Sequence, residues 1–342
     1  MFDSYFNINK AITAENGVYS NNPQKRLLEN RRFIIMNILI YGAGVQGSYL
    51  AHVLIRGGNN VTMLARGGRL DELKNDGIVI RHYFQHKTTH DKVNLISKLL
   101  PNDIYDIIFI TMQYQQSKSI LSVISDNMSK NIVFVGNNPN AKEFQDYINK
   151  NSNNQKQIVF GFQTSGGRRE NGRIINVRGG GSMDIGILDG EFSWFSLIEK
   201  AFKNTNYNLN FNDNIDSWLK SHMIFVLVLA YITDVCDGNL HKVDRRLVNQ
   251  MVNALNEGYS VLERLGYAVT PTNFANIVRK GRYAFLMYIF LKIYSLTPFP
   301  KLSDPMTMTS ETMALTNAFE ELKQKANIPT PNWDALESHI YH

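Results

Sequence analysis

The sequence of 342 residues lacks three features that mark particular classes of protein. Its single cysteine, Cys236, excludes an internal disulfide, and it is predicted to be a small buried apolar residue rather than a nucleophile. Its most continuous apolar run, Met223 to Ile232, is far too short to cross a bilayer. Near the N-terminus, no apolar segment precedes a small-residue cleavage site, as a signal peptide would require. We therefore expect a soluble, cytoplasmic protein.

The charged residues are not clustered in the way that nucleic-acid binding requires. The formal net charge is +6, which permits anionic small-molecule ligands. The lysines and arginines are scattered rather than placed with aromatic residues along one stripe, so nucleic acid is disfavoured as a partner. With 44% hydrophobic residues, the chain can bury a sizeable core, and its length favours two domains.

A glycine-rich turn follows the first apolar run. The run Ile38 to Tyr41 ends at the sequence GAGVQG, residues 42–47, and a helix-compatible segment, Ser48 to Ile55, comes next. Strand, GxGxxG turn and helix together are typical of a dinucleotide site. Gly42 permits the tight turn, Gly44 lets the backbone approach a pyrophosphate, and Gly47 lets the helix pack on the strand.

Apolar runs and helical segments alternate through the first half of the chain, which predicts a mostly parallel, doubly wound Rossmann-type α/β sheet. The predicted strands are Ile38 to Tyr41, Val61 to Leu64, Ile78 to Ile80, Asp106 to Thr111, Ile132 to Val135 and Ile158 to Phe162. Three later runs are predicted to form an antiparallel extension: Ile174 to Val177, Met183 to Ile187 and Tyr207 to Phe211.

Beyond Phe211 the pattern becomes helical throughout. We therefore predict three parts: an N-terminal extension over residues 1–35, disordered or loosely docked; a nucleotide-binding domain over 36–211; and an all-α domain over 212–342. The α domain is predicted to hold the substrate, and its apolar helices, such as Ala284 to Tyr294, offer a surface for a homodimer.

Arg66 follows the second predicted strand, where NAD sites usually carry an acidic residue for the ribose 2′-hydroxyl. A guanidinium at this position suits a 2′-phosphate, so the sequence favours NADP(H). The alternative is an exposed loop arginine without a partner. His82, His86 and His90 recur every four residues, but the residues between them favour a strand or hairpin, so no metal site is expected.

Three polar residues admit either a structural or a chemical role. Lys220 lies at the edge of a very apolar predicted helix, where it either extends to solvent or serves as a proton donor in a cleft. Asn137 follows a predicted strand at the sheet edge that binds ligands in such folds, or it is an ordinary turn residue. Glu311 lies near the start of a predicted helix, and its simplest role is a favourable interaction with the helix dipole.

Taken together, these motifs resemble the ketopantoate reductase (2-dehydropantoate 2-reductase) family over roughly Met36 to the C-terminus. The resemblance rests on the order and spacing of GAGVQG, Arg66, FITMQYQQ, VGNN, SGGRRENGRI, WLKSH, Glu311 and NIPTP.

The resemblance implies roles that spacing alone does not give. It makes Lys220 the general acid, and it places Glu311 in the cleft beside cofactor and substrate. It also implies a cofactor site for NADP(H) formed by Gly42, Gly44, Val45, Gln46, Gly47, Arg66, Gln113, Asn137 and Gly166.

The chain departs from the family where substrate is held. The family's two asparagines after the lysine fall on Ile224 and Val228, the fourth-strand lysine is Gln113, and Met313 and Thr316 replace polar neighbours of the glutamate. Because buried polar groups of site and ligand must pair, these changes alter the accepted substrate.

The leading hypothesis is NADPH-dependent reduction of a 2-oxo acid, with 2-dehydropantoate as default and pantothenate biosynthesis as the setting. The alternatives are another carbonyl or imine substrate, or a non-catalytic NADP-binding sensor.

Overall fold

The computed structural model describes residues 35–177, 181–280, 282–297, 300 and 309–341. The predicted N-terminal extension lies outside the described residues, apart from Ile35. Within the described part the strands are β1 Asn37–Tyr41, β2 Asn60–Leu64, β3 Ile78–His82, β4 Lys87–Asp91, β5 Asn94–Ile96, β6 Ile107–Ile110, β7 Asn131–Val135, β8 Gln157–Gln163, β9 Gly167–Glu170, β10 Arg173–Asn176, β11 Ser182–Gly186 and β12 Asn208–Phe211.

The main sheet has eight strands in the order β12-β11-β8-β7-β6-β1-β2-β5. Its pairs are parallel, except that β11 runs antiparallel to β8. The side chains of the central run Ile107–Ile110 are fully buried, as expected for a strand covered by helices on both faces. The predicted Rossmann-type α/β sheet is confirmed. Because β1, β6 and β7 are parallel, their carboxyl ends share one edge, where the candidate site lies.

The expected single antiparallel extension is wrong. The run from Ile174 belongs to a separate four-stranded sheet, β4-β3-β10-β9, in which β10 pairs parallel with β3. Strand β12 is parallel to β11 and extends the main sheet. Such pairings join segments far apart in the chain, and local composition carries no signal for them. The expected hairpin around the histidines is present, with His82 opposite Lys87.

Helices cover the main sheet and make up most of the described residues after β12. They are α1 Val45–Arg56, α2 Gly67–Asp76, α3 Tyr114–Ser119, α4 Leu121–Asp126, α5 Ala141–Asn151, α6 Phe195–Phe202, α7 Ile215–Val235, α8 Arg245–Arg264, α9 Thr272–Val278, α10 Tyr283–Leu296, α11 Ser310–Ala326 and α12 Pro331–Glu337. Helices α3 and α4 are separate, because the backbone at Ile120 leaves the helical region with φ −109°. The change from strands to helices falls between Phe211 and Ile215, and the division into domains stays a prediction.

Two helices are unusually apolar. Helix α7 is the one described helix long and apolar enough to cross a membrane, but 78% of its most apolar window is buried inside the fold, as in a core helix. Helix α10 instead leaves large apolar side chains exposed along one face: Phe285, Leu286, Ile289, Ile293 and Leu296. The homodimer expected through the helical part stays a prediction, and this face is the surface that it would use.

Candidate active site

The glycine loop is shaped by close backbone contacts on one side and open space on the other. Gly42 has φ +124°, which side chains rarely allow. A Cβ on Gly47 would lie 2.0 Å from the Gly42 carbonyl oxygen and 2.5 Å from Thr111 Oγ1, whereas a Cβ on Gly44 would meet nothing within 4 Å. Helix α1 begins at Val45 with no side-chain cap and no acidic residue in its first turn. The free N–H groups and open approach fit the pyrophosphate of a dinucleotide.

Gln46 joins this loop to the segment after β8. Its Oε1 accepts hydrogen bonds from Gln163 Nε2 at 2.6 Å and Ser165 Oγ at 2.5 Å, and its Nε2 donates to the Ser165 carbonyl at 3.0 Å. The side chain is therefore held in place, and the Gln46 carbonyl also accepts from Gln163 Nε2 at 3.2 Å, so the backbone N–H of Gln46 is the group left to face a ligand. Gly166 comes next in the same segment, and its carbonyl accepts from the Val177 N–H at 3.1 Å.

Arg66 is exposed where β2 ends and α2 begins. Its guanidinium donates to the Tyr41 hydroxyl at 3.2 Å. Within the described ranges Arg66 has no carboxylate partner, so its charge is available to an anion. Burial is the main cause that raises the pKa of Tyr41, and the nearby Arg66 opposes it.

Arg69, which was not predicted from the sequence, stabilises the glycine loop by hydrogen bonds. It is buried, and it donates to the Ala43 carbonyl from Nε at 3.0 Å, to Ser48 Oγ at 3.0 Å and to the Gly172 carbonyl at 2.8 Å. Its ion pair with Glu72 is 2.8 Å long. A positive charge in the first turn of a helix interacts unfavourably with the helix dipole. The position of Arg69 was therefore the one sequence signal that its side chain has another partner.

The Glu311 side chain extends from the first turn of α11 to the carboxyl edge of the main sheet. Its Oε1 accepts from the Tyr114 N–H at 3.3 Å, and the Asn137 side-chain amide donates to the same carboxylate. Burial raises the pKa of Glu311, and these two hydrogen bonds oppose the change. The Asn137 Oδ1 atom is buried and has no partner among the described residues, so it can accept from a ligand amide. The structure thus brings Asn137 and Glu311 together.

Gln113 lies beside this pair and is already bonded within the protein. Its Oε1 accepts from Gln115 Nε2 at 2.9 Å and from Ser310 Oγ at 3.5 Å. Ser310 is the first residue of α11, so these contacts also join the segment after β6 to the helix that carries Glu311.

Lys220 is only 3% exposed, in α7. Its Nζ lies 2.5 Å from Asp216 Oδ1 and 4.6 Å from the centroid of the Tyr267 ring. Burial lowers the pKa of Lys220, whereas the carboxylates of Asp216 and Glu143 act in the opposite direction. In the described part of the chain, no hydrogen bond joins Lys220 Nζ to Asn137 or Glu311, so the general acid predicted from the family is not in direct contact with the other two.

His222 lies in an aromatic stack on the same helix. Its ring is 5.1 Å from Trp218, nearly parallel to it, and 4.1 Å from Phe162. Neither ring nitrogen has a hydrogen-bond partner in the part of the chain that the structure describes, and burial lowers the pKa of His222 to about 3. The imidazole is therefore neutral. Phe162 follows Gly161, whose carbonyl accepts from Gly136, so the stack lies beside the strand end that carries Asn137.

The two positions where the family has asparagines belong to the helical core. Ile224 and Val228 are fully buried. A Cβ on Gly258 would lie 2.7 Å from Ile224 Cγ2, so α8 packs directly against this part of α7. Thr316, near the glutamate, is hydrogen-bonded at 2.9 Å to the Tyr231 hydroxyl. At Ile224 and Val228 the departures from the family thus replace polar groups by packed apolar side chains.

Metal-binding geometry in the described ranges is limited to the carboxylates of Glu320, Asp334 and Glu337. The Lys323 ammonium binds all three, at 2.6 Å from Asp334 and 3.4 Å from Glu337, and neutralises part of their charge. The group of histidines is not such a cluster: His82 Nε2 pairs with Thr89 Oγ1 at 3.0 Å.

Comparison with known proteins agrees with this arrangement. Residues 38–190 match the family model of ketopantoate reductase PanE/ApbA. That segment, which is less than half of the chain, is similar to the ketopantoate reductase family. The resemblance found in the motifs is confirmed, and with it the class, NAD(P)-dependent oxidoreductase. No curated protein sequence matches the chain.

Solved structures share the fold over most of the chain. A PanE/ApbA family ketopantoate reductase from Ralstonia eutropha JMP134 has a TM-score of 0.69 at 17% identity, covering 89% of this chain and 96% of that one. D-mandelate dehydrogenase with NADH and anilino(oxo)acetate has a TM-score of 0.67 at 18% identity, covering 90% and 97%. A 2-dehydropantoate 2-reductase from Methylococcus capsulatus has 0.67 at 13%, covering 90% and 96%.

Proposed function

We propose that this protein reduces a 2-oxo acid to a 2-hydroxy acid with NADPH, and that 2-dehydropantoate is the default substrate. The observation that carries the proposal is the meeting of Glu311, from the helical part, with Asn137 and the Tyr114 N–H at the carboxyl edge of the sheet. Ligands bind at that edge in open α/β sheets. Pantothenate biosynthesis would be the setting if 2-dehydropantoate is the substrate.

The residues of the glycine loop and the sheet edge fit a nicotinamide dinucleotide. The pyrophosphate would lie on residues 42–47, against the open side of Gly44, and the unpartnered Asn137 Oδ1 would accept from the carboxamide. Arg66, which has no described carboxylate partner, would bind a 2′-phosphate and so select NADP(H) over NAD(H). The bound cofactor supplies the hydride.

Lys220 would supply the proton that completes the reduction. Its ammonium has N–H groups beyond the one that meets Asp216, and one of these would donate to the keto oxygen. An O–H bond forms as the N–H bond breaks, and the lysine is left as a neutral amine. Glu311 and Asn137 would orient the reactants. The ammonium is nearly inaccessible, so a substrate would reach it after movement of the residues around it.

Two observations bear on the substrate. Ile224 and Val228, where the family has asparagines, are buried in the helical core and leave no polar group there for a substrate, which favours a more apolar 2-oxo acid than ketopantoate. The similar D-mandelate dehydrogenase was solved with anilino(oxo)acetate, an aromatic 2-oxo acid derivative. These observations support 2-oxo acids as a class and leave room for aromatic members.

A panel of aliphatic and aromatic 2-oxo acids, assayed by NADPH oxidation with and without amines, tests the proposal. We expect turnover of at least one acid, and a loss of about 100-fold or more in kcat for Lys220→Ala, with unchanged NADPH affinity. Lys142→Ala, which removes an exposed helical lysine, is the control. Near-normal turnover by Lys220→Ala would remove it from the acid role.

The same panel distinguishes the alternatives. NADPH binding by calorimetry without turnover of any acid would contradict a reductase and favour the sensor. Turnover only in the presence of an amine would indicate an imine substrate.

A further inference from the structure

The Lys220 ammonium has three N–H groups and a small set of neighbours. One N–H points to Asp216 Oδ1 at 2.5 Å, and the face of the Tyr267 ring lies 4.6 Å away. The described residues provide no other hydrogen-bond partner for Nζ. An ammonium placed between a carboxylate and an aromatic face is held in position while it keeps a free N–H.

Asp216 and Lys220 lie one turn apart on α7 and differ in their access to water. The Lys220 side chain is 4% exposed, whereas that of Asp216 is 24% exposed. Most lysine–carboxylate pairs one turn apart on a helix are exposed and contribute little. The pair Lys142–Asp146 in α5 is of that kind, with both side chains more than half exposed. The Asp216–Lys220 pair is unusual because its cation is buried.

We propose that Asp216 is a positioning residue for the reaction: it holds Lys220 in its protonated form and aims one N–H toward the substrate. This inference rests on the proposed role of Lys220 as the acid. It assigns a function to a carboxylate that no motif in the sequence singled out.

Electrostatics supports the geometry. Burial disfavours the charged ammonium and lowers the pKa of Lys220, and the Asp216 carboxylate opposes this most strongly. Glu143, at the first turn of α5, acts in the same direction from a second element, and its own side chain accepts from Asn140 at 3.1 Å. Tyr267 faces the ammonium from the segment after α8, and burial together with Asp216 raises the pKa of its hydroxyl, which therefore stays neutral.

The direction of the effect follows. The Asp216→Asn variant loses the negative charge that opposes the effect of burial, so the pKa of Lys220 falls further. The protonated acid is then lost at a lower pH, and the basic limb of the pH profile of kcat/KM moves to lower pH. An opposite charge at this distance commonly shifts a pKa by one unit or more, so we expect a shift of about one unit.

The experiment combines that profile with a direct titration of Lys220. Full-length protein carrying lysine labelled with carbon-13 at Cε is titrated by NMR, and the Lys220 signal is assigned with Lys220→Arg. We expect Asp216→Asn to lower the Lys220 titration midpoint and the basic limb together, and Asp216→Glu to restore both. Asp146→Asn, which removes the exposed matched carboxylate, should change neither.

The two readouts separate this inference from the proposed function. The NMR titration reports on the pair even if no 2-oxo acid is turned over. A Lys220 midpoint that is unchanged or raised in Asp216→Asn would overturn the inference. A lowered midpoint with an unmoved basic limb would also overturn it, because the pair would then be structural only.

Discussion

The two sides of the candidate site are built in opposite ways. On the nucleotide side the recognising groups are backbone amides around an open glycine loop, where a Cβ on Gly44 would meet nothing within 4 Å. On the helical side they are side chains inside a packed bundle: Lys220 is 3% exposed, and Ile224 and Val228 are fully buried. The first side is ready for a ligand as it stands, whereas the second is closed.

The difference follows from the groups involved. Backbone N–H groups at a helix start can remain open to solvent at little cost, because water satisfies them. The Lys220 ammonium is buried away from water, so its charge must be balanced by the protein itself. Asp216 supplies that balance for Lys220. We therefore expect substitutions on the nucleotide side to act through backbone contacts and substitutions on the helical side to act through side-chain packing.

The largest effect is expected for Gly47→Ala. The new Cβ would lie 2.0 Å from the Gly42 carbonyl oxygen and 2.5 Å from Thr111 Oγ1, so the loop must shift. We expect a loss of about 3 kcal/mol in the free energy of unfolding and no measurable NADPH binding. Denaturant unfolding and calorimetry measure these effects.

Gly44→Ala is the matched control for that loop. Gly44 has φ −76° and open space around its Cα, so the variant should unfold like the wild type while binding NADPH more weakly, because the methyl group occupies the approach to the loop. Equal losses of stability in both variants would show that the close packing at Gly47 is not what shapes the loop.

The nucleotide side was also the side that the sequence predicted better. The apolar run before GAGVQG and the position of Arg66 predicted a strand, a turn and a free cation, because each depends on residues close together in the chain. Helix α1 begins at Val45 rather than Ser48, since the glycine motif itself supplies the first turn. Arg69 was missed because its partners, Ala43 and Gly172, come from two distant segments.

On the helical side, spacing left Lys220 and Glu311 undecided, and only the family resemblance gave them roles. The contact of Glu311 with Asn137 joins residues far apart in the sequence, and no local pattern carries it. The resemblance also placed Ile224 and Val228 where the family holds its substrate, whereas both side chains belong to the core. Tertiary packing decides which face of a uniformly apolar helix meets a ligand.

Ile224→Asn sharpens that point. A buried amide without a partner at this position should lower the free energy of unfolding by about 2 kcal/mol, although the family has asparagine there. Ile293→Asn, on the exposed face of α10, should change stability by less than about 0.5 kcal/mol. If Ile224→Asn were as stable as the wild type and accepted more polar 2-oxo acids, the helical side would be an open pocket after all.

The smallest effect concerns the cation at the rim of the nucleotide side. Arg66 is exposed and, among the residues that the structure describes, donates only to the Tyr41 hydroxyl, so its removal should disturb little packing. Losing a charge-assisted contact to a 2′-phosphate should weaken NADPH binding about tenfold in Arg66→Ala, which corresponds to about 1.4 kcal/mol. NADH has no 2′-phosphate, so its affinity should stay within about twofold in the same calorimetric series. Arg264→Ala, an exposed arginine at the end of α8, controls for net charge. Equal weakening of both cofactors would mean that Arg66 acts on the shared part of the dinucleotide, and the selectivity would then belong to other residues of the loop.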